Sequence, residues 1–552
     1  MAVYGTKSRE MNVMASYADY LLMWLRRQGI SRIFGNPGTT ELPLMEALAR
    51  QLDIDYILGL HETAVCAMAD GLARLSRNIQ VVSLHAAPGL GNAQSMIYNA
   101  AFSHSPLLLL IGQQDTRLRY ERPFLGAALK DWISPLVLDV WDITEPDHLL
   151  RSVRQAWARL QVEPSGPVAL ILPMNILSAS VPKDEEALWH ASVFPVKTTN
   201  RPHGETIHEF LALLSLPSPK ALVVGDRAVL NPRVFPDLAR IAHFGHCDVF
   251  SEPFASQLTF LPWDDPCYQG RLPRAEAELS QLLSPYRHVI GLGTEMFRVF
   301  TRGPDHQPWW TQASIVQVDS DVRYFHYAPG TTTVLASLDT FIFSLAKRMP
   351  REIGCEPHCG LDPKRNIGER FRKFETNNAS EEFWSSLASW ISPDMIVVDE
   401  SISAQNVLLR HLQRQDPSTY YAETGGSLGW GMGAAVGMCF ERERPVLAIV
   451  GDGSALFGLY ALWTAAQYQL PVRVLIYDNQ GYQILRDQLA DTKAHVLLNI
   501  REPVIHWTQL LAGLSCSVLE SDLCCSSWTL YPMWEQFINQ EGPSVWVIHE
   551  QI

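Results

Sequence analysis

The sequence predicts an α/β protein of three doubly wound parallel-sheet domains. Three observations predict it. Short apolar runs of strand length, such as Leu107 to Ile111, Val168 to Leu172 and Val446 to Val450, alternate with segments of helical periodicity. At 552 residues the chain is too long for a single hydrophobic core. Two matching stretches, Gly166 to Pro173 (GPVALILP) and Gly542 to His549 (GPSVWVIH), close the first and last thirds and suggest two units of one ancestral type.

Taken in order, residues 1 to about 10 are polar and expected to be loose. A helix is expected from Met14 to Arg27, then a strand from Ile30 to Phe34 ending in the turn-rich tip Gly35-Asn36-Pro37-Gly38-Thr39-Thr40. Glu41 to Leu52 reads as a helix, Tyr56 to Leu60 as a strand ending at His61-Glu62, and Ala64 to Leu75 as a helix. Val81 to Leu84 leads to His85-Ala86-Ala87-Pro88-Gly89. The first domain is set at 11–185. A middle domain, 200–347, has strands at Ala221 to Val224, His288 to Gly291 and Ile315 to Val318. Its Gly225-Asp226 and Gly291-Leu292-Gly293 lack full GxGxxG spacing and read as strand-end turns. A Pro-, Gly- and Cys-rich linker is placed at 348–369 and a third domain at 370–552, with a strand from Ile396 to Asp399 and a small-residue helix opened by Gly425 to Gly431.

Composition narrows the function classes. The balance of 47% apolar and 18% charged residues is that of a globular protein. A net charge of -14 argues against a nucleic-acid or anionic-membrane partner, since either needs a basic face. No apolar run approaches the roughly 20 residues of a membrane span. Tyr20 to Trp24 lies in an amphipathic pattern with no cleavage signal after it, so a cytoplasmic location is expected. Nine cysteines at irregular spacing fit reduced thiols. Cys355 and Cys359 lack the further ligands that a structural Zn²⁺ needs, and Cys524-Cys525 reads as packing.

The chemistry concentrates in Pro445 to Tyr482. A strand ending at Gly451-Asp452-Gly453-Ser454 passes through a helix to a second strand ending at Asp478-Asn479-Gln480-Gly481-Tyr482. Both tips fall at carboxyl ends of neighbouring strands, where open α/β sheets bind ligands. Asp452 offers a carboxylate oxygen and Asn479 an amide oxygen, which suits Mg²⁺ shared with a phosphorylated ligand. Gly451, Gly453 and Ser454 leave the helix-start N–H groups free to face an anion.

A Gly-Asp-Gly followed about 25 residues later by an Asn-bearing tip resembles the signature of the thiamine diphosphate-dependent 2-oxo acid decarboxylase and acetolactate synthase superfamily. Asp478 stands where that family usually has a first Asn. The resemblance implies thiamine diphosphate and Mg²⁺ as cofactors, with Asp452, Asn479 and the carbonyl of Gly481 as metal ligands. It implies Ser403 and Tyr482 at the cofactor, Leu428 as the apolar wedge that bends it, and Gly426 as the carbonyl acceptor for its amino group. Glu62, in Leu60-His61-Glu62-Thr63-Ala64, matches the catalytic Glu that faces the aminopyrimidine ring nitrogen. An apolar setting would raise its pKa. Read without the resemblance, Glu62 is a solvated helix-start carboxylate and Leu428 is core packing.

Phe34-Gly35-Asn36-Pro37-Gly38-Thr39-Thr40-Glu41-Leu42-Pro43 and Leu84-His85-Ala86-Ala87-Pro88-Gly89 resemble most closely the benzoylformate decarboxylase branch. That likeness implies Thr39 on the substrate carboxylate and His85 moving protons at the carbonyl oxygen; otherwise Thr39 caps a helix and His85 ends a strand. Ile484 and Gln488 are implied to line the substrate pocket, with Ile484 bulkier than an aryl substrate would suit. Phe300 falls where the branch carries a second His, and His306 is off register. Without that proton donor, the intermediate left after CO₂ departs is expected to attack a second carbonyl. The expected reaction is thus decarboxylation of a 2-oxo acid to an aldehyde, or acyloin formation with an aldehyde or second 2-oxo acid. An acetolactate-synthase-like enzyme, an acyloin lyase and a non-catalytic scaffold of the same fold stay open. Relatives pair Glu62 of one subunit with the diphosphate site of another, so a homodimer or homotetramer is expected.

Overall fold

The computed structural model describes residues 15–51, 53–191, 201–256, 260–262, 265–296, 298–301, 313–325, 330–350, 378–412, 416–441, 445–489, 493–523 and 527–550. His306, Cys355, Cys359, Cys524, Cys525 and the expected linker from residue 351 onward lie outside them, as does the side chain of Gln488.

Three parallel sheets of six strands follow one another along the chain. The first holds β1 (Arg32–Asn36), β2 (Asp55–Leu58), β3 (Gln80–Leu84), β4 (Leu107–Gln113), β5 (Val140–Asp142) and β6 (Val168–Pro173), in the order β2-β1-β3-β4-β6-β5. The second holds β7 (Lys220–Val224), β8 (Cys247–Ser251), β9 (Tyr268–Arg271), β10 (His288–Leu292), β11 (Ser314–Asp319) and β12 (Thr331–Leu335), in the order β12-β11-β10-β7-β8-β9. The third holds β13 (Ile396–Glu400), β14 (Tyr420–Ala422), β15 (Val446–Gly451), β16 (Val472–Asp478), β17 (Ser517–Asp522) and β18 (Ser544–His549), in the order β14-β13-β15-β16-β18-β17.

The third sheet repeats the first strand for strand. The matching stretches GPVALILP and GPSVWVIH supply β6 and β18, which hold the same fifth place. Central strands such as β4, β6 and β16 are buried along their whole length because helices cover both faces, which is why they read as unbroken apolar runs. One boundary moves at β1. The amide of Ile30 turns back to Leu25 of the preceding helix, so the strand starts two residues later than expected and carries Asn36 out to the sheet's tip.

The outer sheets meet through two helices, Glu62–Ser76 and Trp430–Met438. Their contact face is Ala- and Gly-rich, so the backbones approach closely. A Cβ at Gly71 would collide with the backbone of Ala434, and one at Gly437 with the carbonyl of Met68. At the other end the Arg74 guanidinium lies over the Trp430 ring, 4.2 Å from its centroid. The two helices therefore run in opposite senses. A polar knot fixes that end. Buried Asp70 accepts from the Trp430 indole N–H at 2.6 Å, from Arg74 Nε at 3.1 Å and from the hydroxyls of Ser103 and Ser105. Asn99 locks the adjoining loop, donating to the carbonyl of Ser427 at 2.8 Å and accepting from its amide at 3.2 Å. Among the described residues no helix is long and apolar enough to cross a membrane.

Candidate active site

The tips of β1, β2 and β3 bring one set of groups together. Glu62 opens its helix behind His61, whose ring accepts the amide of Thr63. The helix-start carboxylate is not solvated: Glu62 is 5% exposed. Its setting is also less apolar than the sequence implied. Asn36 Nδ2 donates to Oε1 at 3.3 Å and Asn92 Nδ2 to Oε2 at 2.9 Å, so two amides aim the carboxylate. His85 stands next to it: a Cβ on Gly89 would lie 3.2 Å from Glu62 Oε1 and 3.3 Å from His85 Cβ.

His85 is coupled to a residue that sequence reasoning missed. Its Nδ1 lies 2.8 Å from Oε2 of Glu41, which also accepts the amide of Gly38 at 2.9 Å. Glu41 is 3% exposed. Thr40 completes the cluster, with Oγ1 2.5 Å from Glu41 Oε1 and 3.1 Å from His85 Nδ1. Thr39 is exposed on the same 3-10 turn, Thr39–Glu41. The expected helix start at Glu41 is thus a tight turn followed by the helix Leu42–Arg50. In that turn Glu41 points inward beneath His85. A carboxylate three residues after a glycine at a strand tip was the available signal.

The tips of β15 and β16 build a second set. Asp452 begins the helix Asp452–Gly458, capped by Gly451, with Gly453 and Ser454 buried in its first turn. Asp452 Oδ2 accepts the Gly481 amide at 2.9 Å, which ties the two tips together. Asn479 is 3% exposed, and its Nδ2 donates to Ser403 Oγ at 3.2 Å. Its Oδ1 is buried and, among the described residues, has no hydrogen-bond partner, an acceptor left for a ligand or cation. The donor set, one carboxylate and one amide oxygen beside the Gly481 carbonyl, is all hard oxygen. Arg486 braces the turn by donating to the Asn479 carbonyl at 2.8 Å, and the Tyr482 ring covers Gly453.

Asp478, the departure from the usual Asn, lies beside Asp452 and is held by donors of its own. Its Oδ2 lies 3.0 Å from both Trp507 Nε1 and His549 Nδ1, and its Oδ1 accepts the Gln480 amide at 3.0 Å. Burial works against its charge, yet these donors hold its carboxyl below the ordinary range. Asp452 takes the consequence. Burial, reinforced by the neighbouring Asp478 charge, pushes its carboxyl up to about 7.

The turn from Gly425 to Gly429 lies at the start of the helix Trp430–Met438. Gly426 has φ +89° and Leu428 is half-buried beside it. Glu62 opens the first of the two packed helices, and Leu428 lies just before the second. Among the described residues Glu62 takes its side-chain hydrogen bonds from Asn36 and Asn92, not from the Gly425–Gly429 turn. Ile484 is 40% exposed and Phe300 70% exposed, both open to solvent on this chain.

Two family models match: the N-terminal TPP binding domain of thiamine pyrophosphate enzymes over residues 15–134, and the C-terminal TPP binding domain over 403–548. The chain is 31% identical to benzoylformate decarboxylase of Pseudomonas aeruginosa over 469 residues, 84% of this chain and 85% of that one. It is 22% identical to the acetolactate synthase isozyme 1 large subunit of Escherichia coli, over 100% of this chain and 96% of that one. Its fold superposes on the 4-hydroxybenzoylformate decarboxylase of Rhodococcus jostii RHA1 with a TM-score of 0.85 at 26% identity, covering 98% of this chain and 99% of that one. Strand order, tip chemistry and these matches agree: the chain belongs to the thiamine pyrophosphate enzyme family, among its 2-oxo acid decarboxylases and acetolactate synthases.

Proposed function

We propose that the protein decarboxylates a 2-oxo acid with thiamine diphosphate and Mg²⁺, and joins a substantial share of the product to a second carbonyl as an acyloin. The observation that carries the metal part is the buried, unpartnered Oδ1 of Asn479 beside Asp452. Asp452, Asn479 and the Gly481 carbonyl would hold the ion, with the amides of Gly453 and Ser454 and the Ser403 hydroxyl toward the diphosphate. When bound, the cofactor supplies a thiazolium able to take up the electron pair released as CO₂ leaves. Glu62 holds a proton against the aminopyrimidine nitrogen, aimed by Asn36 and Asn92. His85 moves a proton at the substrate's carbonyl oxygen, and Glu41 fixes its tautomer and angle. Thr39, exposed on its turn, offers a hydroxyl to the substrate carboxylate without a counter-charge that would resist CO₂ loss, while Thr40 gives its own to Glu41.

The grouping of Glu62 and His85 at the tips of one sheet and of Asp452 and Asn479 at the tips of another supports a site completed by a second copy, so the working unit is at least a dimer. Phe300, which cannot donate a proton where the related decarboxylases carry a His, supports carboligation. Incubating the protein with thiamine diphosphate, Mg²⁺ and a panel of 2-oxo acids, with and without an aldehyde, tests the whole reading. CO₂ and acyloin masses are expected. No CO₂ from any 2-oxo acid would sink the decarboxylase, and aldehyde as sole product would sink the ligase.

A further inference from the structure

Glu400 ends β13, between β14 and β15 in the third sheet, and is paired in register with Val450, two residues before Asp452. It is 1% exposed, and its carboxylate is spent on the first turn of the helix that follows Leu428. Oε1 accepts the amide of Gly429 at 2.8 Å and that of Trp430 at 3.3 Å; Oε2 accepts the amide of Gly431 at 2.8 Å. Three otherwise unpaired helix-start donors thus converge on one side chain from a different strand. Gly431 permits the approach, since a Cβ there would lie 3.0 Å from Oε2. The preceding residues are held separately, by Glu423 at the Gly426 amide and by Asn99 at Ser427. Leu428 lies between these fixed points.

We infer that Glu400 is a positioning residue for the cofactor: by holding the amides of Gly429, Trp430 and Gly431 it sets the height and angle of the Gly426–Leu428 turn against the aminopyrimidine ring. This rests on the reading that the turn receives thiamine diphosphate. The carboxylate touches neither the metal ligands nor the diphosphate amides, so its effect belongs to the ring end of the cofactor. Glutamine at this position keeps the volume but turns an N–H₂ group toward N–H donors, which breaks at least one of the three bonds.

The test is calorimetry on the intact protein with Mg²⁺, using two probes, thiamine diphosphate and inorganic pyrophosphate. In Glu400→Gln the thiamine diphosphate Kd is expected to rise about 10-fold or more, while the pyrophosphate Kd stays within about twofold. Gly431→Ala, which crowds Oε2 from the other side, is expected to give the same selective loss if Glu400→Gln fails to fold. Unchanged thiamine diphosphate affinity would overturn the inference. So would equal weakening of both probes, which marks general structural damage. Failure of the unsubstituted protein to bind thiamine diphosphate would instead remove the functional reading on which the inference stands.

Discussion

Oε2 of Glu41 lies 2.8 Å from Nδ1 of His85. The contact leaves Nε2 as the nitrogen free to face a substrate, and it makes the imidazole's orientation depend on a carboxylate buried beneath it. Glu41→Gln should therefore lower turnover about 10²-fold, at the low end of general acid–base effects, with little change in cofactor affinity. Steady-state CO₂ release beside cofactor titration checks it; a loss of cofactor binding equal to the loss of rate would contradict the assignment.

Glu62→Gln should cost about 10²- to 10⁴-fold in turnover. One of Asn36 and Asn92 can still donate to the amide oxygen and the other can turn its own Oδ1 to the new N–H₂, so the fold should survive, as circular dichroism would report. Product formation at the unsubstituted rate would refute the mechanism.

Magnesium uptake should depend on pH through Asp452. Its folded pKa, about 7, stands above the ordinary 3.8. The stability this group contributes to the metal-free protein is fully present below 3.8 and lost as pH rises to about 7. Magnesium needs the carboxylate, so its apparent affinity should climb between those values and level off above them. Asp478→Asn removes the neighbouring charge and should move the plateau to lower pH. Calorimetry in buffers of different ionisation enthalpy would count the protons released; none at pH 6 would contradict it.

Gly437→Ala should destabilise the protein by about 1–3 kcal/mol, because the new methyl meets the Met68 carbonyl in a face with no slack. Urea unfolding measures the loss.

Phe300→His should raise the aldehyde-to-acyloin ratio if the missing donor governs the product. The ratio by mass spectrometry, at equal substrate consumption, decides the point.

How much of this was legible in the chain varies residue by residue. Fully buried parallel strands advertise themselves as apolar runs, so β4, β6, β15 and β16 were readable, and with them the tips bearing Asp452 and Asn479. Thr40 and Glu41 were not. A 3-10 turn advances each residue by a different angle from an α-helix, so spacing alone did not tell which of two adjacent threonines faces inward. Asp478 read only as a departure from the usual Asn; its partners Trp507 and His549, contributed from about thirty and seventy residues away, could not be read from spacing. Glu400 carried no motif at all, since its partners are backbone amides.

The antiparallel pairing of Glu62–Ser76 with Trp430–Met438 has a consequence for regulation by concentration. If each centre is completed by a second copy, as proposed, the two repeated halves of one polypeptide do not make a centre alone. Specific activity should then fall on dilution before any loss of ellipticity. Mixing copies that carry Glu62→Gln with copies that carry Asp452→Ala should restore working centres from two dead parents.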